Sequence, residues 1–272
     1  MKIHHLDCGT MCPLGGKHFP WLVPELMVCH CLLIETAQGL TLVDTGFGTQ
    51  DVEHPEKLGL SSHLFGWRRK LGGTAFYQIQ NLGFTGEDVR HIVVTHLDLD
   101  HAGGLSDFPH AQVHVLKTEW QASISRKGLQ GKQRYRPSQF THQPRWVFHE
   151  LSNGENWQGF QCVRDIPGLP PEVLLVPLPG HSMGHMGIAV QVGNKWLLHA
   201  GDSYYDRMEL YDPKQLPLGL KYLRYTIHAN RRIAWENQNR LHQLIEGSKD
   251  IDVFCSHDPS ELTAFSKRSD DL

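Results

Sequence analysis

The sequence lacks a C-x-x-C pair. Its six cysteines, Cys8, Cys12, Cys29, Cys31, Cys162 and Cys255, show no such spacing, and several sit inside apolar runs as small buried hydrophobes do. They read as reduced thiols, which excludes a disulfide-built scaffold. Nor does any stretch approach the twenty apolar residues that a membrane span needs. The opening Met1-Lys-Ile-His-His-Leu-Asp7 has no apolar core of a signal peptide. The expectation is a soluble, cytoplasmic chain with no membrane partner. Charge of one sign is also missing, since Lys and Arg number 26, Asp and Glu 29, and the net charge is −3. That balance gives no general attraction to nucleic acid or anionic lipid, and the run Arg68-Arg69-Lys70 reads as a solvated face.

A chain of 272 residues with 40% hydrophobic content can bury a full core, and the expectation is one α/β domain spanning residues 1–272. The stretch that organises it is His91-Ile-Val-Val-Thr-His96-Leu-Asp98-Leu-Asp100-His101-Ala-Gly-Gly104. Ile92, Val93 and Val94 form a buried-strand signal, and Ala102-Gly-Gly104 lets the backbone turn tightly. His96, Asp98, Asp100 and His101 therefore stand at the carboxyl end of a strand, where open α/β sheets place their ligand sites. Four ionisable groups crowded into six residues would repel and desolvate one another unless a cation sat among them.

The rest of the chain repeats that theme. Met27–Glu35 and Leu40–Asp44 are strand-like around a turn at Ala37-Gln-Gly39, and the second ends in Asp44-Thr-Gly46-Phe-Gly48. A carboxylate at a strand end before glycines is either a turn-former or a support beneath a ligand. Residues 50–73 read as an irregular insertion able to cap a pocket with Phe65 and Trp67. Thr74–Leu82 has helical spacing, and Thr85-Gly-Glu-Asp88 is a capping box for one short turn. Val113–Leu116 is a strand, Lys117–Arg126 a helix, and Gly128–Glu150, polar and Pro-broken, a loop excursion. Val173–Val176 then leads to Gly180-His181-Ser-Met-Gly-His185, Trp196–His199 to Gly201-Asp202-Ser-Tyr-Tyr205, and Asp252–Cys255 to Ser256-His257. Ala229–Glu246 is a helix stopped by Gly247.

The segment His96-Leu-Asp98-Leu-Asp100-His101 resembles the H-x-H-x-D-H signature of the metallo-β-lactamase superfamily, with Asp98 where that signature has its second histidine. The four strand-end clusters match the superfamily's ordered ligand pattern across nearly the whole chain. The resemblance implies an αββα sandwich with the metal site at one sheet edge. It also implies two divalent metal ions: His96, Asp98 and His181 would hold one, Asp100, His101 and His257 the other, and Asp202 would bridge them. In the family's P-G-H-x-x-G-H pattern only the first histidine is a ligand, so His185 becomes an outer support. His199, closing an apolar strand, reads as a packed or near-site histidine. The V-D-T-G segment implies that Asp44 lies under the metals and braces the ligand loop.

A bridging pair of metals lowers the pKa of bound water enough to make hydroxide near pH 7, which implies hydrolysis. Tyr205, three residues after Asp202, resembles the tyrosine of N-acyl-homoserine lactonases, which hydrogen-bonds the substrate carbonyl or leaving oxygen. The expectation is a small-molecule hydrolase acting on a lactone or other carboxylic ester, with Asp100, Asp202 and Tyr205 as catalytic residues. Phosphodiesterase and thioester hydrolase are the neighbouring alternatives. Zinc is the first expectation, but a carboxylate at Asp98 makes the first site harder and suits Fe or Mn better than three imidazoles would. It also resembles the H-x-E-x-D-H of flavodiiron oxygen reductases, so an iron-dependent oxygenase or reductase of the same fold is a further alternative.

Overall fold

The computed structural model describes residues 1–58, 65–150 and 154–269. Two sheets carry the architecture. The first runs in the order β1 (Lys2–Asp7), β2 (His30–Thr36), β3 (Gly39–Val43), β4 (Val89–Val93), β5 (Gln112–Leu116) and β6 (Arg145–His149), with β1 to β3 antiparallel and β3 to β6 parallel. A short hairpin, β7 (Glu155–Trp157) and β8 (Phe160–Cys162), precedes the second sheet. That sheet comprises β9 (Val173–Pro177), β10 (Met186–Val192), β11 (Lys195–His199) and β12 (Ile251–Phe254) in the order β12-β11-β10-β9.

The period-two alternation of strand side chains explains the layering. Leu32, Ile34, Val43 and Val93 from the first sheet pack with Leu175, Ile188, Val190 and Phe254 from the second in one cluster between the sheets. Their chain neighbours Leu33, Leu42 and Ile92 face the other way, onto Ala75, Ile79, Leu105 and Phe108. In the same way Leu174, Val176, Ala189 and Leu198 turn outward onto Leu241 and Leu244 of the helix Arg231–Gly247. Helix, sheet, sheet, helix is therefore the layer order, as expected from the sequence. The long helix starts where Asn230 accepts the Ile233 amide N–H, a side-chain cap on an otherwise unpaired donor.

One segment departs from expectation. Residues 128–150 are not a loop excursion: they hold a helix, Gly128–Arg134, a 3-10 turn, Pro137–Phe140, and the edge strand β6. Gly128 and Gly131 mask the helix, and the apolar part of β6 is only Trp146-Val-Phe148, flanked by Arg145 and the buried His149. Trp120, Phe140, Trp146 and Phe148 pack together there. The insertion after Thr49 is partly described: Trp67 is buried and stacks on Phe47 with ring centroids 4.0 Å apart, so it belongs to the core and not to a free cap. Ser61 and Ser62 lie outside the described residues.

Candidate metal centre

Every residue of the expected constellation comes from the carboxyl end of a strand. His96, Asp98, Asp100 and His101 follow β4, His181 follows β9, Asp202 follows β11, and His257 follows β12. The Asp202 carboxylate is the hub. Its Oδ1 lies 3.1 Å from His101 Nε2 and 3.2 Å from His257 Nε2, and its Oδ2 lies 3.7 Å from His181 Nε2 and 3.9 Å from His96 Nε2. All four rings thus present Nε2 inward.

Their Nδ1 atoms are committed elsewhere. His257 Nδ1 donates to the Val28 carbonyl at 2.8 Å and His101 Nδ1 to Asp44 Oδ2 at 2.8 Å. These partners can only accept, so the proton sits on Nδ1 and Nε2 is the nitrogen available to a cation. His96 Nδ1 meets the Thr95 hydroxyl at 2.9 Å and His181 Nδ1 the Tyr205 hydroxyl at 2.9 Å. Asp44 sits at the floor, fully buried and in the left-handed backbone region with φ 56°, and takes the Thr95 amide N–H at 2.7 Å and the Thr95 hydroxyl at 2.8 Å. It supports the ligand loop, and of the two readings left open by the sequence the structure carries this one.

The donor set fits a cation. Among the described residues, His96 Nε2, His101 Nε2, Asp98 Oδ1 and Asp202 Oδ1 are buried without a hydrogen-bond partner. Each such atom left dry costs about 1–3 kcal/mol, more for a carboxylate, so four within one cluster require compensation that a metal supplies. The electrostatics agree. Burial opposes charge on Asp202, yet His257 and His101 hold its carboxyl well below the usual range. Burial likewise lowers His101, but Asp202 and Asp44 carry it well above the ordinary imidazole value. The centre calls for positive charge.

Among the described residues three donor groups emerge from the geometry: His96, Asp98 and His181; His96, His101 and Asp202; and Cys29, Asp100 and His257, each with its donor atoms within 4.8 Å of one another. The first is the trio expected for one metal. For the other, His101 stands closer to Asp202 than to Asp100, whose Oδ1 is 3.9 Å away. Asp100 Oδ2 lies 3.7 Å from His257 Nε2.

Two expected non-ligands have both nitrogens in use. His185 Nδ1 donates to the Leu178 carbonyl at 2.8 Å, and its Nε2 accepts the Asp202 amide N–H at 2.9 Å, which orients the hub. His199 Nε2 donates to the His30 carbonyl at 2.6 Å and its Nδ1 accepts from the Gly201 amide. Tyr205 is buried, and its ring stacks on His257 with centroids 5.4 Å apart. Burial and then Asp202 raise its pKa well above the phenol value, so it stays protonated.

Sequence reading missed several participants. Arg134, in the segment taken for a loop, donates from Nη1 to Asp98 Oδ2 at 3.0 Å and from Nη2 to the Ile227 carbonyl at 2.6 Å. Against the upward push of burial, Arg134 and then His96 pull the Asp98 carboxyl well below the usual range. Glu119 is buried and accepts from the Leu97 amide at 3.1 Å, Tyr135 hydroxyl at 3.0 Å and Ser182 hydroxyl at 2.5 Å, clamping the two ligand loops to each other. His228, buried beside His181 with centroids 5.8 Å apart, has no hydrogen-bond partner on either ring nitrogen among the described residues. Only Arg134 had any local signal, as a cation in a polar run; the others touch the centre through contacts distant in sequence.

The model of the metallo-β-lactamase superfamily matches residues 25–231. The chain belongs to that superfamily. Among relatives, a protein of Mycobacterium tuberculosis named "Probable metallo-hydrolase Rv2300c" is 40% identical over 260 residues, covering 95% of this chain and 81% of the relative. The N-acyl homoserine lactonase AiiA of Bacillus thuringiensis subsp. kurstaki is 24% identical over 234 residues, 84% of this chain and 80% of its own. The solved structure of an N-acyl homoserine lactone hydrolase with the product N-hexanoyl-L-homoserine bound at the catalytic metal centre shares the fold, with TM-score 0.71, 21% identity, and 97% and 95% of the two chains covered. This superfamily member is a metal-dependent hydrolase, and its histidine and aspartate cluster fits a metal site.

Proposed function

We propose that the chain is a binuclear metal-dependent hydrolase that opens a lactone or other carboxylic ester of a small molecule. The observation that carries this reading is the convergence of four Nε2 atoms on the Asp202 carboxylate with four buried donor atoms left without partners. His96, Asp98 and His181 would hold one metal, Asp100, His101 and His257 the other, with Asp202 between them. When bound, such a pair supplies hydroxide near neutral pH and polarises the carbonyl under attack.

The chain's own groups do the rest. Tyr205 supports the ester reading: with His181 Nε2 committed to a metal the ring proton would sit on Nδ1, 2.9 Å from the Tyr205 oxygen, which would accept it and leave the phenol proton free to donate to the oxyanion that develops on the substrate. Asp44, Thr95 and the Val28 carbonyl fix the tautomers of His101, His96 and His257, so no ring must turn when substrate arrives. Asp98 is shared with Arg134: its Oδ2 accepts from the guanidinium at 3.0 Å and also faces His96 Nε2 at 3.4 Å and His181 Nε2 at 3.1 Å, while its Oδ1 has no partner among the described residues. The guanidinium offsets the extra negative charge, which moves the first site back toward the balance of three neutral imidazoles and favours Zn over Fe or Mn.

The test is a hydrolysis screen over lactones, aryl esters, thioesters and phosphodiesters, using protein reconstituted separately with Zn, Mn and Fe. Turnover of a lactone is expected. Tyr205→Phe should then lower kcat by roughly tenfold to a thousandfold, the scale of one oxyanion donor, with KM changing less and both metals retained. Wild-type rates in that variant on every lactone and ester would remove Tyr205 from catalysis, and turnover of phosphodiesters alone would replace the ester reading.

A further inference from the structure

We propose that Cys29 is a further, thiolate ligand of the second metal, standing with Asp100, His101 and His257 beneath the Asp202 bridge. The inference rests on the two-metal reading above and adds a donor of a different chemical kind to it.

Cys29 lies just before β2, on a segment already tied to the centre. Val28, its neighbour, gives its carbonyl to His257 Nδ1 at 2.8 Å, and the Val28 amide donates to the His257 carbonyl at 3.3 Å. The same segment that orients the histidine therefore delivers the next side chain to the histidine's metal-facing side. There the Cys29 sulfur, Asp100 and His257 offer donor atoms within 4.8 Å of one another. Donors on one metal stand about 3.5 Å apart, given bond lengths of about 2.0–2.3 Å, so closure of about an ångström or less brings the sulfur within bonding reach.

Two further observations point to a ligand at this place. Asp202 Oδ1, on a residue 3% exposed, is unpartnered and stands 3.2 Å from His257 Nε2. His101 Nε2 lies 3.1 Å from Asp202 Oδ1 and 3.9 Å from Asp100 Oδ1 and groups with His96 and Asp202, whereas the Cys29 sulfur groups with Asp100 and His257. The sulfur is held in place, since Cys29 is 1% exposed and its amide donates to Asp7 Oδ1 at 3.3 Å. Metal binding would displace the thiol proton to solvent, forming one metal–sulfur bond with no change in oxidation state. A soft donor at one site and an arginine-shared carboxylate at the other make the two sites chemically unlike.

Cobalt(II) titrated into metal-free full-length protein tests this directly. Two equivalents should bind, with a thiolate-to-cobalt charge-transfer band in the near ultraviolet that saturates at one sulfur per chain. Cys29→Ser should abolish that band and weaken one of the two zinc equivalents at least tenfold, whereas Cys31→Ser leaves both unchanged. Cys29→Val, which keeps the volume, guards against a folding defect, and its circular dichroism should match wild type. Two bound cobalt ions without the band, or a band that survives in both Cys29 variants, would overturn the proposal and leave the two-metal reading standing. Binding of a single equivalent would overturn both.

Discussion

Asp44 touches no expected metal ion, yet Asp44→Asn should weaken metal binding about as much as the loss of a strong outer support. In the native arrangement Thr95 donates an amide N–H and a hydroxyl to this carboxylate, and His101 donates Nδ1–H. Asparagine accepts the left-handed backbone at φ 56° and has nearly the same shape, so the turn survives. Its amide, however, carries two N–H groups where an oxygen stood. In either orientation a donor then faces a donor. The relief is a rearranged proton network: His101 shifts its proton to Nε2, and the Thr95 hydroxyl, receiving from Asn, turns its own hydrogen onto His96 Nδ1. Two of the four inward nitrogens would then carry protons that a metal must displace. Loss of such outer partners typically lowers affinity by about 10- to 100-fold, or about 1.4–2.7 kcal/mol, and the upper end is expected because two rings are affected. Competition against a chelator measures it, with thermal unfolding of the metal-free protein as control. Asp44→Ala would add strain and three unpaired donors, so it confounds folding with binding. Wild-type zinc affinity in Asp44→Asn would refute the tautomer argument.

Asp98→His should keep both metals and shift preference further toward zinc, but it strands the buried Arg134 guanidinium without its carboxylate; a loss of roughly 3 kcal/mol is expected in denaturant unfolding, largely restored by adding Arg134→Met. An equal loss in single and double variants would sink that account. His114, held between His91 at 3.0 Å and His149 at 3.0 Å, has its pKa lowered to about 3, first by burial and then by His149. The unfolded chain takes a proton near pH 6.5 that the fold refuses, so this contribution is complete above 6.5 and declines as pH falls toward 3. At pH 5 the loss from this one group is about 2 kcal/mol, and His114→Gln should flatten the metal-free stability profile between pH 7.5 and 5 by that amount. Gly201, at φ 56°, leaves no room for a methyl, which would stand 2.4 Å from His185 Nε2. Gly201→Ala should therefore push His185 off the Asp202 amide and lower kcat at least tenfold, measured at saturating metal; unchanged kcat would show that His185 does not orient the hub.

The sheets and the histidines and aspartates that cluster at their strand ends were legible because their signals are local. Each strand is a short β-branched or leucine-rich run, and each ligand follows it in a turn that glycine or serine permits, so the pattern survives without knowledge of the partner strands. Asp44 carried two readings because a strand-end carboxylate looks the same whether it caps a turn or braces a ligand; only the 2.8 Å contact to His101, 57 residues away, separates them. Arg134 was hidden in a helix whose two glycines mask its periodicity, and its target Asp98 lies 36 residues earlier. Cys29 looked like any small buried hydrophobe, since the run Met27–Ile34 gives no sign that one of its side chains approaches Asp100. The histidine row across β4, β5 and β6 was invisible for the same reason: its members share a sheet face but no sequence neighbourhood.

The donors are divided between the two sheets. His96, Asp98, Asp100 and His101 belong to the first, and His181, Asp202 and His257 to the second. No single sheet owns a complete set, so metal affinity is itself a gauge of how well the halves of the sandwich are docked. Binding energy is consequently conformational energy. One ion at a hundred times its dissociation constant would add about 2.7 kcal/mol to the cohesion of the two layers, and chelation would loosen the sandwich at the edge that carries the cluster.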